Sequence, residues 1–181
     1  MKLVCHSGVV SAHVGAGVDA VEYVSFSQIR EDLKNDREEY IDDVSEFLKI
    51  SRDEEMAKVY NGPKIIKDEW NEKNPKTPDE VKRFYKETIS YLYDLGCWHF
   101  GQRRQFDVEL LTAANEQIKP KKVLDYGAGV GQNAIMLARA GFDVTLADIG
   151  SATMDFAEWR FRKHQIPGRF SRIDNEDISD T

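Results

Sequence analysis

Between Val123 and Asn133 the chain reads Val-Leu-Asp-Tyr-Gly-Ala-Gly-Val-Gly-Gln-Asn. A short apolar run that ends in a carboxylate, Asp125, and is followed by alternate glycines and then a helical stretch lets backbone N–H groups approach a ligand where side chains would block it. Seventeen residues beyond Gly131 a second apolar run delivers Asp148 at its end. That carboxylate could accept both hydroxyl protons of a ribose. The glycine spacing separates two cofactors. A dinucleotide fingerprint, G-x-G-x-x-G, counted from Gly127 needs a glycine at position 132, where the chain has Gln132. Asp125 would also repel a pyrophosphate, whereas it pairs with an ammonium group. S-adenosylmethionine has that ammonium and no phosphate; a nicotinamide-dependent reductase is the less favoured alternative.

Asp125-x-Gly127-x-Gly129-x-Gly131, with Asp148 closing the next strand, resembles the first two motifs of class I S-adenosylmethionine-dependent methyltransferases, and the resemblance spans residues 106–181. It implies that Asp125 and the loop of Gly127, Ala128 and Gly129 hold the methionine part, with Gly131 also among the cofactor-binding residues, that Asp148 holds the ribose hydroxyls, and that Ile149 packs on adenine. It further implies that Asp174, with Asn175 beside it, accepts a hydrogen bond from the adenine amino group. In this family the acceptor is approached from the end of a fourth strand and from later loops. The aromatic segment from Tyr91 to Gly101 resembles the part that covers the cofactor there; the alternative is that its Trp98 and Phe100 pin the helical region onto the sheet. Within that segment His99 is a weak candidate general base, more often a structural residue than a catalytic one.

These residues need elements to place them. Lys122 to Tyr126, Phe142 to Ala147 and Arg169 to Ile173 read as strands, and Gln132 to Ala140 and Ser151 to about Gln165 as the helices between them. The order βαβαβ predicts a parallel sheet with right-handed crossovers. Three strands leave an edge and apolar surface uncovered, so the sequence reads as part of a longer domain, with another copy or a partner chain as one means of completing the sheet. Upstream, Ile29, Leu33, Tyr40, Ile41, Val44, Phe47 and Leu48 form one apolar face of a helix or helix pair whose opposite face is acidic. Ser51 with Glu54 fits a capping box, and Asn61-Gly62-Pro63 stops that helix. Thr77, Pro78 and Glu80 mark the start of the clearest helix, with Gly96 placed to end it. A further helix is expected from about Arg103 to Gln117. Gly15-Ala16-Gly17 lacks a following helix signal and a paired acidic strand end, and reads as a structural loop.

The expectation is an α/β protein: a mainly helical N-terminal region, 1–102, acting as a lid or cap, and an incomplete Rossmann-like domain, 103–181. Its predicted activity is methyl transfer to a small-molecule acceptor, with a non-catalytic cofactor- or partner-binding module as the alternative from another class. Composition narrows the rest. The net charge of −7 is concentrated between Glu31 and Lys58, with eleven Asp/Glu against five Lys/Arg, which argues against broad nucleic-acid binding. The basic cluster Arg160, Arg162, Lys163, Arg169 and Arg172 reads as a solvated helix face. No run is apolar enough for a membrane span, and a cytoplasmic location is expected. Cys5 and Cys97 belong to no zinc-ligand spacing and read as reduced thiols, and no metal is expected.

Overall fold

The computed structural model describes residues 26–100, 121–139 and 141–173, with side chains from residue 35 onward. Five helices come first: α1 (Phe26–Leu48), α2 (Arg52–Tyr60), α3 (Gly62–Lys73), α4 (Pro78–Glu87) and α5 (Ser90–His99). Then β1 (Lys122–Tyr126), α6 (Gln132–Arg139), β2 (Asp143–Asp148), α7 (Ala152–Lys163) and β3 (Arg169–Arg172) alternate. The strands are parallel in the order β1-β2-β3, with Val123 opposite Val144 and Ala147 opposite Ser171. The fold is thus α/β and Rossmann-like, with helices ahead of the sheet. The helix expected at 103–117 and the Gly15-Ala16-Gly17 segment lie outside the described residues.

Three helical expectations change in the folded chain. Asn61-Gly62-Pro63 ends α2 and at once opens α3, because Pro63 sits in a first turn that needs no N–H from it. The helix predicted from Pro78 to Leu95 keeps its capping box, with Thr77 Oγ1 accepting the Glu80 N–H at 3.3 Å and the Glu80 carboxylate accepting the Thr77 N–H at 3.0 Å. It breaks at Thr88, however. The Thr88 and Ser90 hydroxyls both donate to the Glu69 carboxylate of α3, at 2.5 and 2.6 Å, and Thr88 takes an extended backbone, so α4 and α5 are separate. Gly96 lies inside α5 instead of ending it. A Cβ there would stand 2.6 Å from Cε1 of Tyr40, so its missing side chain is what lets α1 and α5 cross.

Two apolar clusters meet on α7. Met154, Ala157 and Phe161 pack with Ile135, Leu137, Val144 and Leu146 between sheet and helix. Phe156 and the half-buried Trp159 face the other way, onto Tyr40, Val44, Phe47 and Leu92. The helix carries one apolar stripe for each neighbour, with charged residues between them. Each fully buried aromatic, Phe156 among them, contributes on the order of 2 kcal/mol through area removed from water. Ile29 and Leu33 fall on α1 where no side chains are described.

The acidic face of α1 and the basic residues of α7 are not solvated faces; they meet. Asp43 and Arg160 are both fully buried and bond at 2.8 Å, and Lys163 pairs with Glu46 at 2.6 Å and with Asp43 at 2.9 Å. Arg139 of α6 reaches Glu39 at 2.9 Å. Arg169 and Arg172 pair with Asp143 and with Asp155 and Glu158, while Arg162 remains the most exposed of the set. Single-charge counting misses this because neither stripe advertises its partner, 117 residues away for Asp43 and Arg160.

Candidate cofactor site

Parallel strands all deliver their carboxyl ends to one side of the sheet, and there β1 and β2 end in Asp125 and Asp148. A cleft of about 320 Å³ opens over them. Its floor is Asp125, Gly127, Ala128, Gly129, Asp148 and Ile149; its far wall is Tyr85, Tyr91, Leu95 and His99 from α4 and α5. Asn133, Ser151 and Thr153, from the starts of α6 and α7, close the ends.

The glycine loop is held from within. Gly127 and Ala128 N–H groups donate to the Ala147 carbonyl at 2.8 and 3.3 Å, and the Gly131 N–H donates to the Ala128 carbonyl at 2.8 Å, closing a tight turn. Gly127, Gly129 and Gly131 all have positive φ, which glycine adopts without steric cost. They differ in surroundings. A Cβ on Gly127 would project into open space, so this glycine keeps the cleft clear. A Cβ on Gly131 would meet Ala157 and Leu146 at 3.1 Å, so this one serves close packing of the turn on α7 and β2.

Asp148 accepts the Gly129 N–H at 2.6 Å through Oδ2 and the Ile149 N–H at 2.6 Å through Oδ1. It therefore tethers the loop, and each oxygen keeps a lone pair for a further donor. Asp125 accepts the Ala134 N–H in the first turn of α6, yet its Oδ2 is buried without any hydrogen-bond partner. Burial raises its carboxyl above the usual range; the Ala134 N–H opposes that rise and the nearby Asp148 charge adds to it. A buried carboxylate oxygen lacking a partner is costly, and a cationic donor arriving in the cleft removes the cost.

Of the residues singled out in the sequence, Asp125, Gly127, Ala128, Gly129, Asp148, Ile149 and His99 line this one cleft, and Gly131 stands behind it. Asp174 and Asn175 lie outside the described residues. Tyr91 and Leu95 bring the segment expected to cover the cofactor to the cleft, while Tyr85 and, at the two helix starts, Asn133, Ser151 and Thr153 join it without having been singled out. Tyr85 and Tyr91 sit with ring centroids 5.4 Å apart, and burial raises the Tyr91 hydroxyl, with its hydrogen bond to Tyr85 adding to that rise. Neither Trp98 nor Phe100 lines the cleft. Phe100 packs on Tyr40 at 5.3 Å, pinning the helices together, and Trp98 is half exposed.

One other group has ligand-like composition: Glu39, Asp43 and His164. Its charge is already answered. Burial pushes the Asp43 carboxyl up, but the Arg160 charge and hydrogen bonds from Arg160, Lys163 and His164 outweigh that and hold it below the usual range. This is an ion-pair junction. Cys97 is a free thiol. Among the described residues no helix is long and apolar enough to cross a membrane.

Residues 100–177 match the family model of the tellurite resistance protein TehB, a family of S-adenosylmethionine-dependent methyltransferases. The match takes in both strand-end carboxylates and the whole glycine loop, and supports the class I methyltransferase resemblance. No curated protein matches the chain.

Proposed function

We propose that this chain binds S-adenosylmethionine in the cleft and transfers its methyl group to a small-molecule acceptor. The observation that carries the reading is Asp125 on the cleft floor, with a buried and unpartnered Oδ2, beside Asp148 in the same cleft, where Gly127 keeps the space clear. Asp125 is suited to the ammonium of the amino-acid tail, and Asp148, with a lone pair left on each oxygen, to the ribose hydroxyls. Ile149 offers an apolar edge for adenine. When bound, S-adenosylmethionine supplies a methyl carbon already activated by positive sulfur. The chain's own contribution is then placement and exclusion of water: Tyr85, Tyr91 and Leu95 wall the cleft opposite the glycines. His99, which lines that wall, is the residue we assign to take a proton from an acceptor that must lose one.

Isothermal titration tests the binding. Saturable one-to-one uptake of S-adenosylmethionine, with none of NADH, is expected; uptake of NADH alone would overturn the assignment. The name of the matched family adds tellurite to the acceptors worth assaying, beside amine, thiol and hydroxyl compounds. A second reading, cofactor binding without transfer and with a second copy completing the sheet, draws on β1. Leu124 and Tyr126 there are 61% and 67% exposed, and among the described residues β1 pairs only with β2. Light scattering distinguishes it, since a monomer at working concentration excludes the second copy.

A further inference from the structure

Arg160 is the largest fully buried side chain among the described residues, and burying a guanidinium is costly unless its donors are matched. Its partners come from two distant parts of the chain. Nε donates to Asp43 Oδ2 of α1 at 2.8 Å. Nη1 donates to the Gln132 side-chain oxygen at 2.7 Å and to the Val130 carbonyl at 3.3 Å. The guanidinium carbon lies 5.2 Å from the Tyr40 ring centroid and 5.6 Å from that of Phe156, so the group is also clamped between aromatic faces.

Val130 and Gln132 flank Gly131, where the glycine loop turns into α6. The Val130 side chain is itself fully buried with Tyr40, Val44 and Phe156. Both the side chain and the carbonyl of one loop residue are thus fixed by the α1–α7 junction. One residue earlier, the Gly129 N–H is the tether to Asp148. We propose that Arg160 is a positioning residue for the cofactor loop: held by Asp43, it fixes the Val130 carbonyl and Gln132, so that the docking of α1 sets the shape of the turn from Gly127 to Gly131. The consequence for affinity rests on the binding reading above; the effect on loop shape does not.

The alternative is that Arg160 only glues α1 to α7. The pair Lys163–Glu46 does that without touching the loop, and Glu46, which pairs with Lys163 and not with Arg160, provides the control. The test is hydrogen exchange at the Gly129 and Gly131 amides, read against the Val144 and Leu146 amides of β2, on wild type, Gln132→Leu, Asp43→Asn and Glu46→Gln, with S-adenosylmethionine titrated into each. In Gln132→Leu and Asp43→Asn the loop amides should exchange about tenfold faster relative to β2, with about tenfold weaker binding. Glu46→Gln, which loosens the helix pair alone, should leave that ratio and the affinity as in wild type. Loop and β2 protection falling together, or an unchanged ratio in both loop variants, would overturn the proposal. Should Gln132→Leu fail to fold, Asp43→Asn, which keeps an acceptor for Arg160 but removes the charge, reads the same ratio. If wild type takes up no S-adenosylmethionine, the binding reading fails and the exchange ratio still decides the role of Arg160.

Discussion

Asp148 carries two duties at once, tethering Gly129 and offering lone pairs to the cleft. Its replacement by alanine should weaken S-adenosylmethionine binding about ten- to a hundredfold by titration, the loss expected when a charged acceptor disappears. Gly131 makes the opposite kind of prediction. Its positive φ strains any side chain, and a methyl group there would push Ala157 and Leu146, 3.1 Å away, back by a few tenths of an ångström. Gly131→Ala should therefore cost about 1–3 kcal/mol in denaturant unfolding, whether or not cofactor is present. An affinity loss without a stability loss would mean that the turn has slack. Both positions were legible in the sequence because a carboxylate after a strand and a glycine in a tight turn are local chemical demands. The buried role of Arg160 was not legible, since nothing near residue 160 names Asp43 as its partner.

The helices show what periodicity conveys and where it stops. Thr77 and Glu80 declared a helix start correctly because both halves of a capping box lie within one turn. The break at Thr88 escaped notice because it is imposed from α3, by Glu69. Glu55 is a second case. It sits on α2 among charged neighbours, as a surface residue would, yet it is fully buried and both of its carboxylate oxygens lack partners. Burial pushes its carboxyl up to about 7; Lys58 opposes this and Glu54 adds to it, and its charge is felt by Tyr40 of α1 and Tyr93 of α5. An acid whose folded value is raised favours the fold while protonated. That contribution is complete below the unfolded value near 4.5 and is lost as pH climbs to about 7. The melting temperature should thus fall between pH 5 and 8, and Glu55→Gln should flatten that fall. A wild-type profile equally steep in the variant would assign the pH dependence elsewhere.

Across the whole molecule, the αβ alternation and the parallel sheet followed from the sequence because strands and the helices between them are sequential. How the N-terminal helices sit did not, for it depends on two charge stripes finding each other. Their docking makes α5 a wall of the cleft and, through Val130, makes α1 a neighbour of the glycine loop. The N-terminal helices therefore share one core cluster with α7 around Phe156, the other side of α7 packs on the sheet, and one cooperative melting transition is expected. Two resolved transitions by calorimetry would mean that the halves are held by ion pairs alone.

In the proposed function two strand-end carboxylates divide one ligand between them. A crystal structure of the chain with S-adenosylmethionine tests this most directly. The ammonium nitrogen should lie within hydrogen-bond distance of Asp125 Oδ2, with both ribose hydroxyls on Asp148 and the ligand passing over Gly127. Ribose hydroxyls bound elsewhere, or electron density for the ligand outside this cleft, would contradict it.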